Sequence, residues 1–187
     1  MDCKPSGGAA IRRRTRQFAA VQRIREAGRQ MKSLTRAALL ELVWVFAGIA
    51  PCLALVLWLI DAEHGLALTS LGSTAILLFC FPAHEGSRPV AVLASHLLGA
   101  VIGIVLLKLL GSNMWTMGAG VALIAIAMKL LGIMHPPAGA NPLIVLNLKS
   151  SWLFVAYPLL PALLIMLVAV LIWSRLRPGP HWPLRWV

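Results

Sequence analysis

Five long apolar runs dominate this sequence and restrict the folds that it can adopt. They cover residues 42–60, 66–83, 90–110, 114–134 and 152–173. A helix needs about 20 apolar residues to cross the hydrocarbon core of a bilayer, and each run reaches or approaches that length. With 59% hydrophobic residues and a mean hydropathy of +0.83, the chain is too apolar for a soluble domain. The sequence therefore predicts an all-α integral membrane protein.

Positive charge is concentrated at the beginning of the chain. The formal net charge is +11, and ten of the 17 Lys and Arg residues precede residue 41. Between 9 and 38 apolar side chains recur at helical spacing among arginines, which predicts a basic amphipathic cytoplasmic leader over 1–40 on anionic lipid headgroups. A transit peptide is the alternative, since it is also Arg-rich and acid-poor. Because the charge belongs to a leader, no nucleic acid is expected as a partner.

The charges at both ends of the set of runs predict an even number of crossings. The leader precedes the runs, and Arg175, Arg177 and Arg185 follow them, so the positive-inside rule places both termini in the cytoplasm. The missing crossing can only lie at 135–150, which is apolar but too short and too rich in Pro and Gly for a full helix. A transmembrane domain at 41–175 and a cytoplasmic basic tail at 176–187 follow, and a bacterial inner membrane is favoured over an organelle envelope.

The segment at 135–150 has the same pattern as the second apolar run. In both, a stretch of small residues precedes a continuous aliphatic stretch, with Gly72 aligned on Gly139. Repeats of three crossings have opposite orientations in the membrane, as in many transporters. We therefore expect six crossings as two inverted three-span repeats, with interrupted helices at about 66–83 and 135–150. Ordinary Gly and Pro kinks in packed helices are the alternative.

Interrupted helices of this kind would bring two half-helix N-termini together near the membrane midplane. Such N-termini carry free backbone N–H groups and a partial positive charge, and they bind anions. This predicts a small inorganic anion as the ligand. The predicted binding residues are Gly72, Ser73 and Thr74 from the first half-helix, and Gly139, Ala140 and Asn141 from the second.

Four further residues are candidates for the pathway. His96 lies inside the third run, where an ionisable side chain is a functional hypothesis by default, and it either donates to an anion, carries a proton or bonds a backbone carbonyl. Ser95 is expected to complete the site. His135, at the cytoplasmic end of the interrupted segment, either joins the site or holds the following Pro-Pro turn. Arg88 is assigned to the entrance, although positive-inside anchoring explains it equally well.

The segment 135–143, His-Pro-Pro-Ala-Gly-Ala-Asn-Pro-Leu, resembles the HPP family of integral membrane proteins, which is named for its first three residues. Three other segments are similar to family motifs in the family's order. Residues 71–79 look like its small residues leading into Val-Leu-Leu-Phe, 87–90 like its Pro-Arg-Asn-Val, and 95–100 like its Gly-His-Leu-Leu-Ser-Ala. The resemblance covers roughly 41–175.

This resemblance implies transport of a small monovalent anion by a channel or carrier. Members in plastids and cyanobacteria are described as nitrite transporters, so nitrite is the first candidate. The family often reads His-Pro-Pro-Gly-Gly-Ala-Thr-Ala, whereas this chain has Ala138 for the first glycine and Asn141-Pro142 for Thr-Ala. Because these positions would line the site, the departures bear on substrate choice.

Motifs of other functional classes do not occur in the sequence. There is no P-loop, no GxSxG, no HExxH and no pair of carboxylates inside an apolar run, so neither an enzyme nor a cofactor nor a bound metal is expected. Gly99 and Gly103 form a small-xxx-small face with Ser95, which suits close packing within a protomer or in a homo-oligomer. The alternative functions are a non-transporting sensor or assembly platform and a channel for a small neutral solute.

Overall fold

The structure is a computed structural model that describes residues 36–60, 69–176 and 181–186. These residues form six α-helices and no strand, which confirms the all-α prediction for this part of the chain. The helices are α1 (Arg36–Ile60), α2 (Thr69–Cys80), α3 (Pro89–Leu110), α4 (Met114–Leu131), α5 (Asn141–Leu148) and α6 (Leu160–Ser174). Short turns at Glu85–Ser87, Pro136–Ala140 and Val155–Leu159 precede α3, α5 and α6. The predicted leader lies, up to residue 35, outside the described residues.

In the described part of the chain, four helical segments are long and apolar enough to cross a membrane. They agree with four of the predicted runs: Ala38–Ile60, Pro89–Leu110, Met114–Leu131 and Val155–Ser174. The two other helices, α2 with 12 residues and α5 with 8 residues, occupy the positions predicted for interrupted helices. At 1.5 Å per residue they measure about 18 Å and about 12 Å, so neither crosses a core of about 30 Å as a helix alone.

Residues 44–187 form one compact unit, and several helix ends meet at one of its faces. The Arg88 guanidinium, just before α3, donates to the carbonyl of Gly132, just after α4, at 2.8 Å. The Trp182 indole, beyond α6, donates to the Ser87 carbonyl at 2.7 Å. This end of the unit is called the Arg88 face.

The opposite ends of the helices meet at a second face. The Tyr157 hydroxyl, just before α6, donates to the carbonyl of Ile60, the last residue of α1, at 3.0 Å. The Lys108 ammonium, in the last turn of α3, lies 5.8 Å from the centre of the Trp152 ring. This end is called the Tyr157 face. The long helices α1 and α3 end at it, whereas α4 and α6 begin at it.

The short helix α5 lies tightly between α3 and α4 because glycines face it. A Cβ atom on Gly103 of α3 would lie 2.9 Å from Pro142 Cα, and one on Gly120 of α4 would lie 2.8 Å from Pro142 Cβ. A Cβ atom on Gly99 would lie 2.9 Å from the Ala138 carbonyl oxygen. Small residues let helices approach closely where lipid supplies no hydrophobic driving force. Gly99 and Gly103 thus make their predicted close contacts within the protomer.

The core and the outer surface of the unit are both apolar. Buried aliphatic side chains of α1, α2, α3 and α6 pack together, among them Val56, Leu78, Ile104 and Leu163. Large apolar side chains also cover the outside, as with Leu130, which is 81% exposed. An apolar exterior of this extent suits a protein that is surrounded by lipid.

The contact between α3 and α5 yields a matched prediction about stability. We expect Gly103→Ala to lower the free energy of unfolding by about 1–3 kcal/mol. The added methyl group would clash with the backbone of Pro142, which cannot move aside as a flexible side chain could. Gly118→Ala is the control, since a Cβ atom there would meet nothing within 4 Å. Thermal unfolding in detergent, followed by circular dichroism, measures both. Equal stability of the two variants would contradict the tight packing of α5.

Candidate functional site

Four polar side chains meet in the otherwise apolar interior: Thr74 of α2, His96 of α3, His135 before the turn that leads to α5, and Asn141 at the start of α5. Each has an exposed fraction of 0%. We call them the polar centre. All four were predicted as site residues from the sequence, and the structure brings them into direct contact.

The polar centre lies well inside the helical body. Thr74 precedes the end of α2 by six residues and His96 follows the start of α3 by seven. At 1.5 Å per residue, both lie about 10 Å inward from the Arg88 face along their helices. Polar groups at such a depth in a membrane protein are costly to bury and usually mark a pathway.

Hydrogen bonds join the four side chains in a continuous series. The Asn141 amide Nδ2 donates to the His96 carbonyl at 2.8 Å and lies 3.0 Å from His96 Nδ1. Thr74 Oγ1 lies 2.9 Å from His96 Nε2 and 3.1 Å from His135 Nε2. His135 Nδ1 lies 2.6 Å from the carbonyl oxygen of Gly86. The two imidazole rings stand 5.1 Å apart at 52°.

These contacts determine where the hydrogens lie when both histidines are neutral. The Gly86 carbonyl only accepts, so His135 carries its hydrogen on Nδ1 and accepts at Nε2. The Thr74 hydroxyl lies 3.0 Å from the Ser70 carbonyl oxygen as well. With both histidines neutral its single hydrogen goes to His135 Nε2, and its oxygen accepts from Nε2–H of His96. His96 Nδ1 in turn accepts from the Asn141 amide. The series runs in one direction, from Asn141 through His96, Thr74 and His135 to Gly86.

The His-Pro-Pro sequence explains the position of His135. The residue before a proline is pushed out of the helical region, and His135 has φ −132° and ψ 89°. Pro136 and Pro137 begin the short 3₁₀ turn, where their missing N–H groups leave no donor unpaired. The tripeptide thus keeps His135 out of the helix and directs the chain inward toward α5.

The first predicted half-helix differs from the expectation in its amide groups. In the structure α2 already includes Thr69, so the amides of Ser73 and Thr74 pair with carbonyls four residues earlier. Ser73 is exposed, and a Cβ atom on Gly72 would meet nothing within 4 Å. The expectation of free amides is corrected for Ser73 and Thr74, and Thr74 reaches the polar centre with its hydroxyl. A substrate-binding role for Gly72 and Ser73 stays a prediction.

The second predicted half-helix differs in the same way. The Asn141 amide N–H donates to the Ala138 carbonyl, so it is not free for an anion. A Cβ atom on Gly139 would meet nothing within 4 Å, and Ala140 packs against the apolar core. In this segment it is the side chain of Asn141 that enters the polar centre. Binding roles for Gly139 and Ala140 stay predictions.

Two further predicted residues lie outside the polar centre. The Ser95 hydroxyl donates to the Ile133 carbonyl at 2.6 Å, which ties α3 to the segment after α4. The Arg88 guanidinium donates to the carbonyls of Glu85 and Gly132. Both side chains therefore hold helix ends together, and Arg88 does so at the edge of a cavity.

This cavity lies at the Arg88 face and has a volume of about 460 Å³. Its lining residues are Pro82, Ala83, His84, Glu85, Ser87, Arg88, Leu184 and Arg185. Gly86, in the same loop, accepts the hydrogen bond of His135, so one residue separates the cavity wall from the polar centre. The sequence indicated only a basic tail at 176–187, whereas Leu184 and Arg185 help to form the cavity. Trp182 anchors this part of the tail: it is 4% exposed and its indole donates to the Ser87 carbonyl.

Polar atoms next to the polar centre lack partners. Ser70 Oγ and Asn141 Oδ1 are buried and make no hydrogen bond. Nearly all buried polar atoms in proteins have a hydrogen-bond partner. Unpaired buried atoms therefore indicate a bound ligand or an ordered water. Among the described residues no group of three or more His, Cys, Asp or Glu side chains is placed to hold a metal ion.

Comparisons with known proteins agree on the class of protein. A family model described as the HPP transmembrane region matches residues 31–183. A transmembrane protein of Dictyostelium discoideum is 30% identical over 68% of this chain and 47% of its own length. A second transmembrane protein of that organism is 29% identical over 83% of this chain and 54% of its own length. The chain spans about half the length of these curated relatives, and no solved structure matches it.

The series of hydrogen bonds yields a second prediction about stability. We expect Asn141→Leu to lower the free energy of unfolding by about 1–3 kcal/mol, because it leaves His96 Nδ1 buried without a donor. Asn147→Leu is the control on the same helix, where the side chain is exposed and a change within about 0.5 kcal/mol is expected. Chemical unfolding in mixed micelles compares them. Equal losses in both variants would show that Asn141 contributes nothing specific.

Proposed function

Since this chain belongs to the HPP family of transmembrane proteins, we propose that it transports a small monovalent anion across the membrane, with nitrite as the first candidate. The observation that carries the proposal is the polar centre, four fully buried polar side chains inside an apolar helical body. Intramembrane ionisable residues such as His96 mark substrate and ion pathways. The role is one of transport and not of catalysis.

Unpaired polar atoms support the polar centre as the binding site. Asn141 Oδ1 belongs to the polar centre itself, and Ser70 Oγ belongs to the residue whose carbonyl contacts Thr74. An ordered water would donate to Asn141 Oδ1, and an anion or a water would accept from the Ser70 hydroxyl. The Ser70 hydroxyl is a donor without a partner. The hydrogens of Thr74, the two imidazoles and the Asn141 amide pair within the series, so an anion binds to these groups by replacing one of those hydrogen bonds.

The distribution of charge favours an anion over a cation. In the described part of the chain the carboxylates are Glu41 and Glu85, and neither belongs to the polar centre. The cavity at the Arg88 face is lined by Arg88 and Arg185. Glu85 also lines it, so two guanidinium groups stand against one carboxylate. A cavity wall with an excess of positive charge attracts anions. We therefore assign this cavity as the entrance to the pathway.

Six crossings in two inverted halves, α1–α3 and α4–α6, are proposed as the architecture. The short helices support it, because α2 and α5 hold the middle position in each half. Thr74 of α2 and Asn141 of α5 both contact His96, so the two short helices converge on one point. Converging interrupted helices are typical of transporters that are built from inverted repeats.

The Arg88 face is proposed to be cytoplasmic, with both termini on that side of a bacterial inner membrane. Among the described residues this face carries more basic side chains than the other: Arg88, Lys129, Arg175 and Arg185, against Lys108 and Lys149. Cytoplasmic loops carry such an excess of Lys and Arg. Anionic headgroups of the same leaflet are the proposed partners of the basic leader.

A matched pair of charge-adding variants tests anion transport. We expect Asn141→Asp to lower protein-dependent nitrite uptake into liposomes about tenfold or more, because a carboxylate in the polar centre repels the anion. Asn113→Asp makes the same change at the start of α4, where Asn113 caps the helix through its side-chain oxygen. Since Asp caps equally well, this control is expected to keep its uptake.

Three measures keep this experiment interpretable. Empty liposomes measure the passive leak of nitrous acid, which is subtracted. Nitrate, formate and chloride as competitors report which anions the site accepts. Size-exclusion chromatography establishes that each variant is folded. If folded wild-type protein moved none of these anions, the proposal would be overturned, and undiminished uptake in Asn141→Asp would exclude the polar centre as the site.

A further inference from the structure

On the basis of the proposed anion transport, we propose that the polar centre also carries a proton, so that the chain moves one proton together with each anion. His135 holds this proton on Nε2 while the hydroxyl of Thr74 turns to the carbonyl of Ser70. The second substrate is thus a proton, and the net movement of charge is zero.

The Thr74 hydroxyl has more partners than it has hydrogens. Its Oγ1 lies 3.0 Å from the Ser70 carbonyl oxygen, 2.9 Å from His96 Nε2 and 3.1 Å from His135 Nε2. A hydroxyl group donates one hydrogen bond and accepts two. Two arrangements satisfy this rule, and they differ in the residue that receives the Thr74 hydrogen.

In the first arrangement, Thr74 donates to His135 and both histidines are neutral. In the second, Thr74 donates to Ser70, whose carbonyl only accepts. His135 Nε2 then receives no hydrogen, so it must donate its own to Thr74, while His96 donates in both cases. Because His135 Nδ1 already donates to Gly86 at 2.6 Å, His135 carries two hydrogens in the second arrangement and is a cation.

The same heavy-atom positions serve both arrangements. The added proton binds to His135 Nε2, the Thr74 O–H rotates, and the positions of Ser70, His96 and Gly86 stay as they are. The polar centre therefore has a partner for every hydrogen before and after it takes up a proton. A site of this kind binds a proton without repacking the helices around it.

Among the residues that the structure describes, no buried carboxylate lies next to the charge that results. The titratable and charged residues on the elements around His135 are His84, Glu85, Arg88, His96 and Lys129, with Lys108 at the far end of α3 and Cys80 exposed at the end of α2. Glu85 is the one carboxylate among them and is exposed. Burial of an unpaired charge is costly, so an anion next to the polar centre stabilises the protonated state. The anion and the proton thus favour each other's binding.

Liposomes with a pH-sensitive dye inside measure proton movement directly. A nitrite gradient is applied at clamped membrane potential, and the signal of empty liposomes is subtracted. We expect one proton to enter with each nitrite, a rate that is insensitive to the potential, and faster uptake when the outside is acidic. Nitrite uptake that follows the membrane potential without proton entry would overturn the coupling.

Two variants of Thr74 test the switch itself. Thr74→Ser keeps a hydroxyl group, and we expect coupled uptake within about twofold of wild type, whereas Thr74→Val removes the hydroxyl and should lower it about tenfold or more. His135→Gln cannot ionise, and its remaining uptake should lose the accompanying proton. His181→Gln is the control, since His181 is exposed and lies outside the polar centre. Normal coupling in His135→Gln would overturn the assignment of the proton.

Nitrogen NMR of histidine-labelled protein gives a readout that does not depend on transport. We expect His135 to show hydrogen on Nδ1 alone at neutral pH and on both nitrogens in acid, and His96 to keep hydrogen on Nε2. A His135 ring with hydrogen on Nε2 alone at neutral pH would overturn the switch. Failure of the proposed function is distinguishable, because wild-type protein would then move no anion while the NMR titration still reports the proton.

Discussion

The hydrogen bond between His135 and the Gly86 carbonyl determines how the rest of the polar centre is arranged. A carbonyl oxygen only accepts, so this contact at 2.6 Å fixes a hydrogen on Nδ1 of His135. The other nitrogen then faces Thr74, and while both histidines are neutral every other hydrogen in the series follows from it. The same bond holds the loop before α3 against the segment before α5. The tautomer of His135 and the packing of these two segments therefore depend on one contact.

Much of the fold was readable from the sequence because lipid imposes strong local rules. The long helices follow from run length, and the short helices follow from Pro and Gly within apolar segments. Thr74, His96, His135 and Asn141 were all predicted as site residues, since polar groups stand out in such a background. The groups that meet at the site differ from the prediction: backbone amides were expected there, whereas side chains form the hydrogen bonds of the polar centre.

The reason for that difference is that the contacts are long-range. Thr74 meets His96 across 22 residues and His135 across 61, and Trp182 meets Ser87 across 95. Local pattern shows where a helix is interrupted, but the partner of a hydroxyl depends on how helices pack against one another. The close approach of α5 to α3 depends likewise on the contact between Gly103 and Pro142, which local sequence pattern does not predict.

Asn141 is a departure from the resembled family motif, and it sets the direction of the hydrogen bonds in the polar centre. Where the resembled motif often has Thr-Ala, this chain has Asn141-Pro142. The Asn141 amide donates to both the carbonyl and Nδ1 of His96, which holds the hydrogen of that ring on Nε2, facing Thr74. A threonine, with its single hydroxyl hydrogen, cannot donate to both acceptors at once. Pro142 has no N–H group and therefore leaves no donor unpaired in the first turn of α5. Asn141 thus sets the tautomer of His96, and the adjacent Pro142 favours the start of the helix.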